Sequence, residues 1–190
     1  MTKLVRSAVR SGSAAALVER ARAGDADAFE VLLDTRLDRA YRLALAITRT
    51  DWDARDACQE AWIAAWRELP RLRDAARFDP WLDRIVVNEC RMLLRRRKAR
   101  VREIRMEEGP DPASEPSTPS PEGRLADADL VRAAFARLSV NQRIVLALHH
   151  GDGRPVAEVA HLLGVPAGTV MWRLFNARRA LEKALAEVST

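Results

Sequence analysis

Val156–Leu185 reads VAEVAHLLGVPAGTVMWRLFNARRALEKAL, and its apolar rhythm of threes and fours, broken at Gly164 and Val165, is that of a helix, a tight turn and a second helix. Val159, Ala160 and Leu163 mark the packed side of the first helix. Val170, Leu174, Ala177 and Leu181 mark that of the second. At about 100° per residue, the face opposite the second stripe carries Trp172, Asn176, Arg179 and Lys183, flanked by Arg173 and Arg178. A small residue in the first helix, a glycine in the turn and an amphipathic second helix make helix-turn-helix patterning. In a DNA major groove, Asn bridges adenine and Arg bridges guanine, while the remaining cations hold phosphate. The pattern favours this over a plain helical hairpin with a solvated basic face.

Outward from this motif the alphabet stays helical. Of 190 residues, 48% are apolar and only 5% aromatic; Ala, Leu and Arg, all strong helix formers, dominate, and the residues typical of sheets are sparse. The chain is therefore expected to be all-α, as two small helical domains joined by a flexible linker. Gly109–Gly123 holds five of the nine prolines, four Ser/Thr and three acids, a composition unable to bury enough surface to fold. It divides the sequence into an N-terminal extension (1–24), a first domain (25–105), a linker (106–125) and a second domain (126–190). The net charge of +5 and pI near 10.0 are consistent with a polyanionic partner. Arg91–Arg105 carries eight bases and one acid, whereas Glu107–Glu122 carries five acids and no base. This segregation puts nucleic acid on one surface and keeps another segment off it.

In the first domain Phe29, Leu33, Leu37, Ala40, Ala44 and Ile47 predict one helix. A second, capped by Asp51 or Asp53 and stopped by Pro70, presents Ala54, Ala57, Cys58, Ala61 and Ala65 as a narrow inward face. A third starts at Asp79-Pro80 with Leu82, Ile85, Val86, Glu89 and Leu93 on one side. In the second domain helices are expected near 126–138, 141–149, 155–163 and 167–188. Cys58 and Cys90 read as small core residues; with three scattered histidines they make neither a disulfide framework nor a metal site. Asp51, Asp53 and Asp56 do not share a helical face at ligand spacing, so neither an enzyme nor a cofactor is expected. No apolar run is long enough to span a membrane, and the acid-free N-terminus has too short an apolar stretch for a signal peptide. A cytoplasmic protein without membrane contact or small-molecule substrate is expected.

Taken together, the chain from about Gly24 to Ala186 resembles the sigma-70 family, specifically its compact extracytoplasmic-function members, which keep only regions 2 and 4. Three stretches carry the resemblance: Asp53–Trp66 (DARDACQEAWIAAW), Phe78–Arg91 (FDPWLDRIVVNECR) followed by Arg95–Arg97, and Gly164–Arg178 (GVPAGTVMWRLFNAR). The resemblance implies that the first docks on core RNA polymerase, the second reads and opens the minus-ten promoter element, and the third reads the minus-thirty-five element. It implies further that the acidic linker follows a basic channel of the polymerase and that an anti-sigma factor is a partner.

The residues fit those roles. Asp56, Gln59, Glu60 and Ile63 share the side of their helix away from the small-residue stripe, an acidic and apolar surface suited to a protein partner; Trp66 closes the same stretch. Phe78, Trp81, Arg84, Asn88, Arg91, Arg95 and Arg96 combine aromatic and polar groups that can capture flipped bases with cations for the exposed strand. Trp81 fits a core position equally well. The minus-thirty-five set is Thr169, Met171, Trp172, Arg173, Asn176, Arg178 and Arg179. Three departures from the family pattern occur there. Pro166-Ala167 stands where Ser-Pro is usual, leaving Thr169 as substitute cap; Met171-Trp172 replaces Lys-Ser; Asn176 replaces an arginine. An apolar pair facing the groove either meets thymine methyls or packs on a neighbouring helix. The rival reading is a stand-alone helix-turn-helix regulator, which binds a palindromic duplex without polymerase.

Overall fold

The computed structural model describes residues 13–107 and 127–188, and every regular element among them is helical. The first domain holds α1 (Ala14–Arg22), α2 (Ala26–Thr48), α3 (Asp51–Glu68) and α4 (Phe78–Glu107). The second holds α5 (Asp127–Ala136), α6 (Val140–Leu146), which runs on through a π-helical turn (Ala147–Gly151), α7 (Val156–Leu163) and α8 (Ala167–Val188). From residue 108 to residue 126 the acidic linker lies outside the described residues.

The alanine face of α3 is buried as its spacing predicts: Ala54, Ala57, Cys58, Ala61 and Ala65 all lie in the core. Such small side chains let α3 approach α2 and α4 closely. On α2, Phe29, Ala40, Ala44 and Ile47 are buried, but Leu37 is 47% exposed and falls off the stripe. On α4 the buried arc is wider than expected, taking in Phe78, Val87 and Cys90 besides Leu82, Ile85 and Val86. Burial pushes the Cys58 thiol up to about 11 and, with Cys58 nearby, the Cys90 thiol up to about 12.

Helix ends differ from expectation in three places. The cap of α3 is Thr50, whose side-chain oxygen accepts from the Asp53 amide at 3.2 Å. Asp51 and Asp53 sit inside the first turn instead, where negative charge suits the helix dipole. Helix α4 starts two residues early, at Phe78, after a 3₁₀ turn (Ala75–Arg77), and Asp79, inside its first turn, pairs with Arg36 at 2.9 Å. Thr169 is no cap: its amide donates to the Pro166 carbonyl at 2.9 Å, so it already lies within the first turn of α8. The turn between α7 and α8 depends on Gly164, whose φ of 65° is left-handed.

Residues 14–22, expected in an extension outside the first domain, form α1, with Leu17, Val18 and Ala21 buried. Asp25 joins α1 to α2. It accepts from the Ala28 amide at 3.0 Å and pairs with Arg20 at 2.6 Å.

The two domains are docked on each other. α2 and α4 pack against α6, the π-helical turn and α7, and buried side chains of both domains form one continuous cluster. In this seam Arg143, 5% exposed, donates through Nε to the Ile47 carbonyl at 2.9 Å and through Nη1 to the Leu138 carbonyl at 2.5 Å. It thereby satisfies an orphan carbonyl at the end of α2, and burial lowers its guanidinium to about 10.

Two outcomes follow. Leu17→Ala lowers the unfolding free energy by about 2–4 kcal/mol in urea titration, as expected for a core leucine; a helix outside the core predicts a change below ~0.5 kcal/mol. In the native protein at pH 8, Cys58 and Cys90 resist alkylation by iodoacetamide, because both thiols are buried and protonated; rapid labelling without unfolding contradicts their placement.

Candidate nucleic-acid and polymerase interfaces

The face of α3 opposite its alanines exposes Asp56, Gln59 and Glu60, with Ile63 37% and Trp66 39% exposed. The Trp66 ring rests on Phe29 of α2 with centroids 4.9 Å apart, which fixes the indole while leaving part of it in solvent. Asp56 and Glu60 continue into a groove of about 190 Å³ between α3 and α4, lined also by Ala57, Glu89, Leu93 and Arg96. Burial, then the neighbouring Glu60, pushes the Glu89 carboxyl above its ordinary range, and Arg96 opposes that shift. Arg96, expected on the DNA side, thus borders an acidic groove between α3 and α4.

Along α4, Arg84, Asn88 and Arg95 are exposed, and their spacing places them with Arg91 along one side of the helix. Arg91 is half-buried and donates to the Asn141 side-chain oxygen of α6 at 3.4 Å. Phe78 moves from the DNA-contact set to the core. It is 2% exposed, with the Arg36 guanidinium 5.7 Å from its ring. Trp81 lies 5.7 Å from Phe78 and is half-buried, so one ring does both things its sequence position left open: it packs inward and keeps a solvent edge. Arg97 is drawn out of the basic run by Asp53, a buried acid of α3 that it meets at 2.5 Å. That pair ties the basic half of α4, beyond its apolar stripe, back to α3.

On α8, Val170, Leu174 and Ala177 are buried and Leu181 partly so, which turns the other side outward. Met171, Trp172 and Phe175 are 57%, 67% and 58% exposed. Phe175 was not among the expected reading residues; the signal for it is its spacing, four from Met171 and three from Trp172. Arg179 extends the patch, its guanidinium 5.8 Å from the Phe175 ring. Arg178 donates to His150 Nε2 at 3.2 Å, and burial, His149 and Arg178 together lower the His150 pKa. Arg173, Thr169 and Asn176 are half-buried. The Asn176 amide donates one of its two N–H groups to the Trp172 carbonyl at 2.9 Å. The exposed surface of α8 is therefore an apolar centre edged by arginines, able to meet thymine methyls while cations hold phosphates.

No group of three or more His, Cys, Asp or Glu is arranged to hold a metal ion among the described residues. None of their helices is long and apolar enough to cross a membrane.

The family model for sigma-70 region 2 matches residues 32–100, and that for sigma-70 region 4 matches residues 128–181. The ECF RNA polymerase sigma factor SigM of Mycobacterium tuberculosis is 35% identical over 170 residues, covering 88% of this chain and 82% of SigM. Among solved structures, the sigma factor RpoE of Bartonella quintana, crystallised with the anti-sigma factor NepR, superposes with a TM-score of 0.66 at 25% identity, covering 83% of this chain and 96% of RpoE. CnrH, solved with the cytosolic domain of CnrY, superposes with a TM-score of 0.64 at 26% identity, covering 92% and 97%. Two region models in order, on two helical domains whose outward helices are basic, place this chain in the sigma-70 family, among its extracytoplasmic-function (ECF) sigma factors.

Proposed function

We propose that this protein acts in the cytoplasm as an alternative sigma factor, with its tasks divided by surface. The acidic and apolar face of α3 (Asp56, Gln59, Glu60, Ile63, Trp66) docks on core RNA polymerase. Trp81, Arg84, Asn88, Arg91 and Arg95 of α4 read and open the minus-ten element. Met171, Trp172, Arg173, Arg178 and Arg179 of α8 read the minus-thirty-five element, and an anti-sigma factor holds the protein in check. The observation that carries this reading is that one chain presents two separate basic helices, each braced from behind by its own apolar stripe, beside a third helix whose outward face is acidic and apolar. Opening a duplex costs a few kcal/mol per unstacked step. A half-exposed Trp81 beside Asn88 and the arginines is a surface suited to offset that by stacking and strand neutralisation.

Run-off transcription on genomic fragments tests the reading. Core polymerase yields the specific transcripts only when this protein is added, and their absence overturns it. Ile63→Ala combined with Glu60→Ala raises the concentration needed for half-maximal transcription about tenfold, as for loss of an interface hot spot. Arg95→Ala leaves core binding intact and reduces the salt dependence of holoenzyme–promoter binding by roughly one charge, ~0.9 in log–log slope. Tight duplex binding by the free chain on a palindrome favours the stand-alone regulator instead.

Selection of promoter DNA by holoenzyme tests the departures on α8. With Met171→Lys and Trp172→Ser introduced together, the preferred minus-thirty-five motif changes while the minus-ten motif does not; an unchanged motif removes these side chains from readout.

A further inference from the structure

The π-helical turn ahead of α7 carries two adjacent histidines, His149 and His150, beside the candidate DNA surface of α8. Histidine changes charge between about pH 5 and 8, a property the arginines around that surface lack. His149 is half-buried and His150 exposed. Their rings meet edge to face, with centroids 4.7 Å apart. His149 Nδ1 lies 2.7 Å from the Arg154 carbonyl oxygen, and His150 Nε2 lies 3.2 Å from Arg178 Nη2 of α8.

The partners assign the protons. A carbonyl oxygen only accepts, so His149 Nδ1 carries a hydrogen and donates to it. A guanidinium only donates, so His150 Nε2 is bare and accepts from Arg178. His150 is therefore neutral, with its proton on Nδ1. Contacts thus run from a backbone carbonyl through two rings to an arginine on the exposed side of α8. Arg178 has no carboxylate partner among the described residues; Glu182, one turn further along α8, makes no ion pair with it. The bond to His150 engages one of its five N–H groups, and the other four suffice for a two-pronged contact with a guanine edge or a phosphate.

We propose that His150 is a positioning residue for promoter readout: neutral, it holds the Arg178 guanidinium in the orientation that meets DNA, and protonated, it releases it. This role rests on the assignment of α8 to the minus-thirty-five element. A long side chain ordered before binding loses less freedom on contact. Protonation of His150 removes the acceptor and sets an imidazolium against a guanidinium. The charged or titratable groups that act on the ring are His149 in its own turn and Arg178 from α8; among the described residues none acts on it from α2, α6 or α7, which also pack against this turn. Burial first, then these two basic groups, hold the His150 pKa below its ordinary value. The holding form therefore prevails at neutral pH and is lost as pH falls below the usual histidine range.

Equilibrium binding of holoenzyme to a promoter fragment, set against the same fragment with a scrambled minus-thirty-five element, tests it as a ratio of affinities. Positive charge gained on protonation strengthens backbone contact with both fragments and cancels in the ratio, as does any effect of pH on core polymerase. In wild type the ratio falls roughly 3- to 10-fold between about pH 8 and about pH 5.5. His150→Gln, whose amide oxygen accepts without titrating, keeps the high ratio throughout, and His150→Ala has the low ratio at every pH. A wild-type ratio that ignores pH, a glutamine variant that titrates as wild type does, or an alanine variant with the wild-type ratio overturns the positioning role. Arg178→Ala separates this from the reading beneath it. If it lowers the ratio while His150→Ala does not, His150 alone is removed; if it leaves the ratio unchanged, Arg178 is removed from readout and the proposal falls with it.

Discussion

One helix, α4, carries more tasks than any other part of the molecule, and the rest of the structure is arranged around how its faces are shared. Its 30 residues span about 45 Å. One side, Leu82, Ile85 and Val86, completes the core with α2 and α3. The line Asp83, Val87, Arg91, at four-residue spacing, meets the second domain at both of its ends. Arg84, Asn88 and Arg95 remain exposed to solvent. A helix this polar in its second half has little intrinsic reason to persist in isolation. The Arg97–Asp53 pair anchors that half where the apolar stripe ends, and so fixes the basic end of α4 relative to α3.

Much of this was legible in the sequence because it follows from local rules. The alanine face of α3, the inward stripe of α8 and the turn at Gly164 are set by spacing and by one left-handed glycine. The misses are those in which tertiary contacts decide. Thr50 rather than an aspartate caps α3, while Asp51 pairs with Arg55 and Asp53 with Arg97. Phe78 reads as a base-stacking aromatic until it is seen packed beneath Arg36. α1, nine residues long, is too short to show an apolar period, yet Leu17 and Val18 are buried by α2 and its neighbours. Arg143 and Arg154 pass in a sequence for solvated surface charges, and only domain docking buries them.

At the seam between the domains a charged cluster is set among apolar contacts. Burial pushes Asp83 up to about 6 against the pull of Arg39 and Arg154. A buried ion cluster of this kind contributes little net stability, and its effect is on which surfaces meet and in what register. Apolar burial across the seam supplies the attraction. On α8 the balance is inverted: the apolar patch of Met171, Trp172 and Phe175 is left uncovered while arginines edge it, a composition that suits a groove with methyl groups at its floor.

Site-specific photocrosslinking from Asn88 and from Trp172, in one holoenzyme–promoter complex, tests the division of labour most directly. The account predicts crosslinks from Asn88 confined to the minus-ten element and from Trp172 confined to the minus-thirty-five element of the same promoter. Crosslinks from both positions to a single element, or to polymerase alone, contradict it.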